Sequence, residues 1–203
     1  MKKIITLLIV VGFVFSCAPK YYIYKLQLKK PTVSDELKFD DEKLSIEFTF
    51  KQSEVAFNIK NNSDKPLKII WDEASFVYNG EAQKIMHKNV KFIDKEKTQA
   101  PTVIPPNSFI SDLIQPIDDI KYNQSSYAGR SYSFWSSKAI FPVISYFKPK
   151  DKRSVDRSKK VLGTKVNIYI PIQQDGKSFD YYFEMEVSDI VFKKSKNKTE
   201  SIL

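Results

Sequence analysis

The stretch "LSIEFTFKQSEVAFNIKNNSDKPLKIIW", residues 44–71, decides the fold. Leu44, Ile46, Phe48 and Phe50 alternate with polar residues, as do Val55, Phe57 and Ile59, then Leu67, Ile69 and Trp71. A repeat of two places successive apolar side chains on one face of an extended chain, the signature of a half-buried strand. Lys51-Gln52-Ser53 reads as the first turn, and Asn61-Asn62-Ser63-Asp64-Lys65-Pro66 as the second, because each of those residues favours a turn for its own reason. Three antiparallel strands are therefore expected in sequence.

Outward from this stretch the pattern continues. Glu73 to Tyr78 and Ala82 to Met86 flank Asn79-Gly80, a pair that accepts positive φ and suits a type I′ hairpin turn. Thr98 to Pro106 reads as a proline-rich loop, and Phe109 to Ile114 as a strand. Val166, Ile168 and Ile170 alternate, Asp175-Gly176 offers a second hairpin turn, and Phe179, Tyr181, Phe183, Met185 and Val187 alternate on the return. About seven strands with turn signals between them predict an all-β, antiparallel β-sandwich, with a closed barrel as the rival architecture. The domain is expected over 39–192, with an irregular insertion at 116–163. A short helix is expected within that insertion, from Asp151 to Leu162, stopped by Gly163. The lysine-rich tail, 193–203, reads as a basic flexible end.

The N-terminus has a different character. Lys2 and Lys3 precede an apolar run from Ile4 to Phe15, then Ser16 and Cys17. A charged head, a short apolar core and a small residue before the cut describe a secretory signal peptide over 1–16. The run is shorter than the ~20 apolar residues that span a bilayer. Val14-Phe15-Ser16-Cys17 resembles the bacterial lipobox. The resemblance implies cleavage between Ser16 and Cys17, a diacylglyceryl group on the Cys17 thiol and an acyl chain on its amine. Two or more chains anchor stably, each buried methylene contributing ~0.8 kcal/mol. Residues 17–38 then form the lipidated N-terminus and a tether, in which Tyr21 to Tyr24 lies at the membrane interface or forms an edge strand. Cys17 is the only cysteine, so no disulfide can form within the chain.

The chain has 203 residues with 33 Lys+Arg against 24 Asp+Glu, a net charge of +9. Loss of Lys2 and Lys3 with the leader lowers this by two. A basic balance raises nucleic acid as a partner, but export and the lack of a nucleic-acid-binding motif argue against it. Attraction to anionic lipid or glycan is the expected consequence. With five glycines, the chain carries no Gly-rich phosphate loop.

"FNIKNNSDKPLKIIWDEASFVYNGEAQKIMH" resembles the front of a group of lipoproteins from Bacteroidota-type bacteria, in its Asn, its Ser-Asp-Lys turn, its Trp-Asp-Glu and its Met-His. "APTVIPPNSFISDLIQP" resembles their next segment, and "KVLGTKVNIYIPIQQDGKSFDYYFEMEV" their closing hairpin. The similarity covers Leu44 to Val187, with Pro116 to Lys160 departing from the pattern. It implies an Ig-like sandwich and a cell-envelope location, and it implies no activity. Surface-displayed lipoproteins of such bacteria resemble one another in acidic residues after the lipidated cysteine. Ala18-Pro19-Lys20-Tyr21 has none, so an outer-membrane anchor facing the periplasm is expected.

Trp71-Asp72-Glu73 is the most distinctive trio. Its acids suit a cation or a basic partner; the plainer alternative is that Asp72 caps a turn. "YAGRSYSFWSSK" offers a platform for carbohydrate or protein, since flat rings stack on sugars and Arg130 or Lys138 pairs with anions; the plainer alternative is a loop whose Phe134 and Trp135 fold back on the sandwich. His87 is the sole histidine and has no partner at metal-ligand spacing, so a structural or surface role is expected and no metal or other cofactor. Asp40-Asp41-Glu42 and Asp118-Asp119 are the paired carboxylates that glycoside hydrolysis would need, though acids in loops more often solvate a turn. The expected function is that of a lipid-anchored envelope module that binds or scaffolds protein or glycan, without catalysis. The alternatives are a glycan-acting enzyme with two carboxylates, and a cation-binding adhesion module using Asp72 and Glu73.

Overall fold

The computed structural model describes residues 20–146 and 152–194. The expected leader, the cut between Ser16 and Cys17, the lipid on Cys17 and the tail beyond Lys194 lie outside the described residues. The described chain forms fourteen strands and one helix. In chain order these begin with β1 (Lys20–Lys30), β2 (Lys38–Asp40), β3 (Leu44–Phe50), β4 (Val55–Asn61), β5 (Leu67–Ile69), β6 (Ser75–Tyr78) and β7 (Glu81–His87). They continue with β8 (Thr102–Ile104), β9 (Phe109–Pro116), β10 (Ile120–Tyr127), β11 (Arg130–Ser137), β12 (Ser145–Tyr146), α1 (Lys152–Lys159), β13 (Lys165–Gln174) and β14 (Lys177–Lys194).

All strand pairs are antiparallel, and twelve strands make one nearly closed sheet. Its ladder runs β12-β1-β14-β13-β6-β7-β9-β4-β3-β2, with β5 pairing β13 on one side and β8 on the other. β7 turns the corner. Glu81 to Lys84 pair with β6, and Ile85 to His87 pair with β9. The alternation that predicted β3 and β4 is realised in full: Leu44, Ile46, Phe48, Phe50, Val55, Phe57 and Ile59 are all buried. Phe48 of β3 meets Phe183 of β14 edge-on, ring centroids 4.9 Å apart, so strands from opposite parts of the ladder share one core.

Both predicted hairpin turns form. Asn79 and Gly80 hold φ of 50° and 86°, and Asp175 and Gly176 hold 51° and 74°, the double positive φ of type I′. The expected helix forms as α1, and Gly163 at φ 76° follows it.

Three segments depart from expectation. Lys20–Lys30, read as part of a tether with an edge strand as the alternative for Tyr21 to Tyr24, is an eleven-residue strand. Tyr22, Tyr24, Leu26 and Leu28 are buried on one face, while Lys25 and Lys29 occupy the other. The charged residues are the wet half of an alternating strand. Thr102–Ile104 adds β8 within the proline-rich loop, pairing with β5. The insertion at 116–163, expected to be irregular, contains a regular ribbon of β10 and β11 that forms its own two-stranded sheet. The strands β2, β8 and β12 have two or three residues each, too few to register as a period, whereas β5 is the expected third strand cut short where Trp71 enters a 3-10 turn. No helix among the described residues is long and apolar enough to cross a membrane.

Candidate functional site

The β10–β11 ribbon turns at Ala128-Gly129, with φ of 51° and 74°, the same turn geometry as the two predicted hairpins. Register pairs Tyr122 with Trp135, Asn123 with Phe134, Ser125 with Tyr132 and Tyr127 with Arg130. Residues directly opposite share a face, and alternate residues share it too. One face therefore carries Phe134, Tyr132, Arg130 and Tyr127 together with Asn123 and Ser125. The other carries Tyr122 and Trp135, then Gln124, Ser126, Ser131 and Ser133.

The ribbon is solvated on both faces beyond Ile120. Tyr127 is 79% exposed, Phe134 51% and Tyr132 48%. Phe134 and Tyr132 are two residues apart on one strand, a separation of ~7 Å. Three rings, a guanidinium and two small polar side chains thus share one face.

The base of the ribbon is fixed. Ile120 is buried with Met86 and Ile117. The Lys95 ammonium donates to the carbonyls of Ile117 at 2.7 Å and Ile120 at 3.1 Å. The Lys138 N–H donates to the Asp119 carbonyl at 2.9 Å, and the Ile140 N–H to the Gln52 carbonyl at 2.8 Å. Trp135 packs between Tyr122, at 5.1 Å between centroids, and Phe92, at 5.9 Å. Trp135 thus belongs to the foot of the ribbon, while Arg130 sits beside its tip. Sequence reasoning took the stretch from Tyr127 to Lys138 as a platform and singled out Arg130 and Trp135 within it; it did not see that Tyr127, Tyr132 and Phe134 share one face of a hairpin and that Trp135 lies on the other. The signal that could have found them is the alternation Arg130, Tyr132, Phe134 with serines between.

The Trp71 trio lies elsewhere, in a 3-10 turn after β5. Trp71 is 1% exposed and its indole N–H donates to Thr102 Oγ1 at 2.8 Å, so it packs in the core. Asp72 Oδ1 accepts the Gln99 N–H at 2.9 Å. Gln99 is buried; its amide donates to the Ile85 carbonyl at 2.6 Å, and its Oε1 accepts the His87 N–H at 3.1 Å. Asp72 therefore ties the segment before β8 to the core. Glu73 is exposed. No group of three or more His, Cys, Asp or Glu that could hold a metal occurs among the described residues.

His87 is 5% exposed and stacks on Trp71, centroids 4.7 Å apart at 10° between planes. Its Nδ1 lies 3.2 Å from Asp112 Oδ2. Burial pushes the Asp112 carboxyl up, but hydrogen bonds from His87, the Leu113 N–H and the Lys88 N–H outweigh it and hold the group below its usual 3.8. A depressed folded pKa stabilises the fold above the unfolded value and is lost as pH falls through the folded one. Asp112→Asn is therefore expected to cost stability at pH 7, by about 1–3 kcal/mol, and to show a smaller loss of stability below about pH 4 than wild type. Urea melts of both proteins across pH 2–7 check this; parallel profiles would overturn it.

The paired carboxylates are engaged in turns. Asp40 accepts from Ser45 and Asn62. Asp41 Oδ1 accepts the Lys43 and Leu44 N–H groups at 2.8 Å, and its Oδ2 accepts the Tyr181 hydroxyl at 2.8 Å. Burial first, then that bond to Asp41, pushes the Tyr181 phenol up. Asp119 lies 3.7 Å from the Lys138 ammonium, and Asp118 is exposed beside it. No protein-family model, curated protein or solved structure matches the chain.

Proposed function

We propose that this chain is a lipid-anchored envelope protein, held by Cys17 to the outer membrane and facing the periplasm, whose β10–β11 ribbon binds envelope glycan. In this reading the sheet acts as an Ig-like sandwich, a stiff base without catalysis. One observation carries the proposal: Tyr127, Tyr132 and Phe134 stand exposed on one face of a ribbon over which, among the described residues, no layer of protein lies. Two-stranded ribbons are marginal alone, and grouped exposed rings mark a surface that meets something. Rings at ~7 Å spacing with Asn123, Ser125 and Arg130 between them match the alternating apolar and hydroxylated faces of a sugar chain. Among the described residues no strand pairs with the outer edges of β10 and β11, which supports a second reading, in which a protein partner adds a strand to the ribbon.

The test is co-sedimentation of the full chain with insoluble envelope glycan. Tyr132→Ala with Phe134→Ala is expected to weaken binding about thirtyfold, at about 1 kcal/mol per ring. Both side chains are exposed, so the fold is expected to hold. Binding that survives the double substitution, or no binding by wild type, would overturn the glycan proposal.

A further inference from the structure

The cationic run in the insertion is brought to the end of the sheet from which the N-terminus leaves. The backbone pairs Lys20, the first residue of β1, with Lys194, the last of β14, and with Tyr146 of β12. Two residues on, the buried Tyr22 donates its N–H to the Ile144 carbonyl at 3.3 Å and packs with Ile144, Val155 and Ile190. The Tyr22 hydroxyl is 3.1 Å from Ser154 Oγ. Helix α1 is thereby seated against the first turnings of β1, with Ser154 and Ser158 inward.

The outward side of α1 and the turn after it carry Lys152, Arg153, Arg157, Lys159 and Lys160, all exposed, against the single acid Asp156. None of the five makes an ion pair among the described residues, whereas Lys25, Lys30, Lys38 and Lys165 on the sheet are held by carboxylates. Cys17 precedes Lys20 by three residues. Even fully extended, that segment reaches only ~10 Å. A lipid on Cys17 would therefore hold this end of the fold at the bilayer surface, within a Debye length of ~8 Å or little more.

We propose that the α1 face is a docking surface for anionic lipid headgroups, which orients the domain on the membrane to which Cys17 fixes it. This rests on the anchored reading of Cys17 for its place in the cell. The charge and its position on the fold stand without it. Compact exposed cations beside a lipid attachment point supply the second signal that makes membrane association stable. An acidic protein is the competing occupant.

The experiment uses the full chain with vesicles of phosphatidylcholine alone and with 30% phosphatidylglycerol. A variant with Lys152, Arg153, Arg157, Lys159 and Lys160 all changed to Gln is compared with wild type. A control changes Lys60, Lys84, Lys88, Lys91 and Lys177 to Gln, matching the charge lost from other exposed positions. Wild type and control are expected to bind the anionic vesicles at least about tenfold better than the neutral ones, and the α1 variant to lose that preference. The preference is expected to vanish in 0.5 M salt. Equal binding to both vesicle types by wild type, or an equal loss in the control, would overturn the proposal. Binding to neutral vesicles reports separately on the lipid: its absence, with the anionic preference intact, would remove the anchor and keep the surface.

Discussion

Trp71→Ala is expected to destabilise the fold by about 3–5 kcal/mol. The ring is 1% exposed and lies between Phe57, at 6.1 Å between centroids, and His87, at 4.7 Å. Truncation opens a cavity that the rigid sheet on either side can only partly close, so a cavity term adds to the lost transfer energy. It also strips Thr102 Oγ1 of its donor and removes the surface on which His87 stacks. Trp71→Phe keeps most of the packing and loses the N–H, so a smaller cost of about 1–2 kcal/mol is expected. Urea denaturation of the three proteins gives the comparison. A loss below about 1 kcal/mol for the alanine variant would mean that the corner around β5 and β8 collapses freely.

Asn61→Leu is the second large effect, expected at about 2–4 kcal/mol. Asn61 is fully buried at the end of β4. Its Nδ2 donates to the carbonyls of Lys65 at 2.7 Å, Ile104 at 3.1 Å and Pro105 at 3.1 Å. Its Oδ1 accepts the Ser63 N–H at 3.0 Å and the Ser63 hydroxyl at 2.7 Å. One amide thus joins the turn after β4 to the corner after β8, and an apolar replacement removes a donor from three carbonyls at once and the acceptor of the Ser63 N–H, although the Lys65 carbonyl keeps the Ser63 hydroxyl and the Pro105 carbonyl keeps Ser108. Asn61→Asp keeps the shape but turns a donor into an acceptor facing three carbonyls. It is expected to be at least as damaging at pH 7. Burial beside those oxygens raises the carboxyl's folded pKa, so stability is expected to recover as pH falls. Thermal melts at pH 7 and pH 4 separate the variants. An Asn61→Asp protein as stable as wild type at pH 7 would refute the bonding role.

The two largest effects were partly visible in the sequence. Asn61 opens the turn-forming run, and Trp71 ends the third alternating segment, so a turn and a core position were legible. Their partners were not. Thr102, Ile104 and Pro105 sit about thirty to forty residues downstream in a proline-rich loop, and no local period ties them to Asn61 or Trp71. Gln99 is the clearest case. It looks like a surface glutamine between Thr98 and Ala100, yet it is buried and bonds across to Asp72, Ile85 and His87.

The ribbon shows the opposite failure. Periodicity detects a strand only when one face is buried, because burial is what makes alternate residues apolar. β10 and β11 have two wet faces, so β10 carries no apolar period and β11 only the short alternation of Arg130, Tyr132 and Phe134, and a regular hairpin passes for an irregular insertion. β1 misleads for a related reason: its lysines make the segment look like a tether until Tyr22, Tyr24, Leu26 and Leu28 are counted by twos.

By itself the sequence determined the all-β class, the strands with one buried face, two I′ turns and a short helix before Gly163, although that helix stops at Lys159 and not at Leu162. Those follow from local chemistry: period two, positive φ and capping. The ladder order, the corner at β7, the placing of α1 against β1 and the aromatic face of the ribbon were decided only by the tertiary structure. Each depends on which distant segment supplies the missing hydrogen bonds and apolar contacts, and a chain's local pattern states that such partners are needed without saying where they come from.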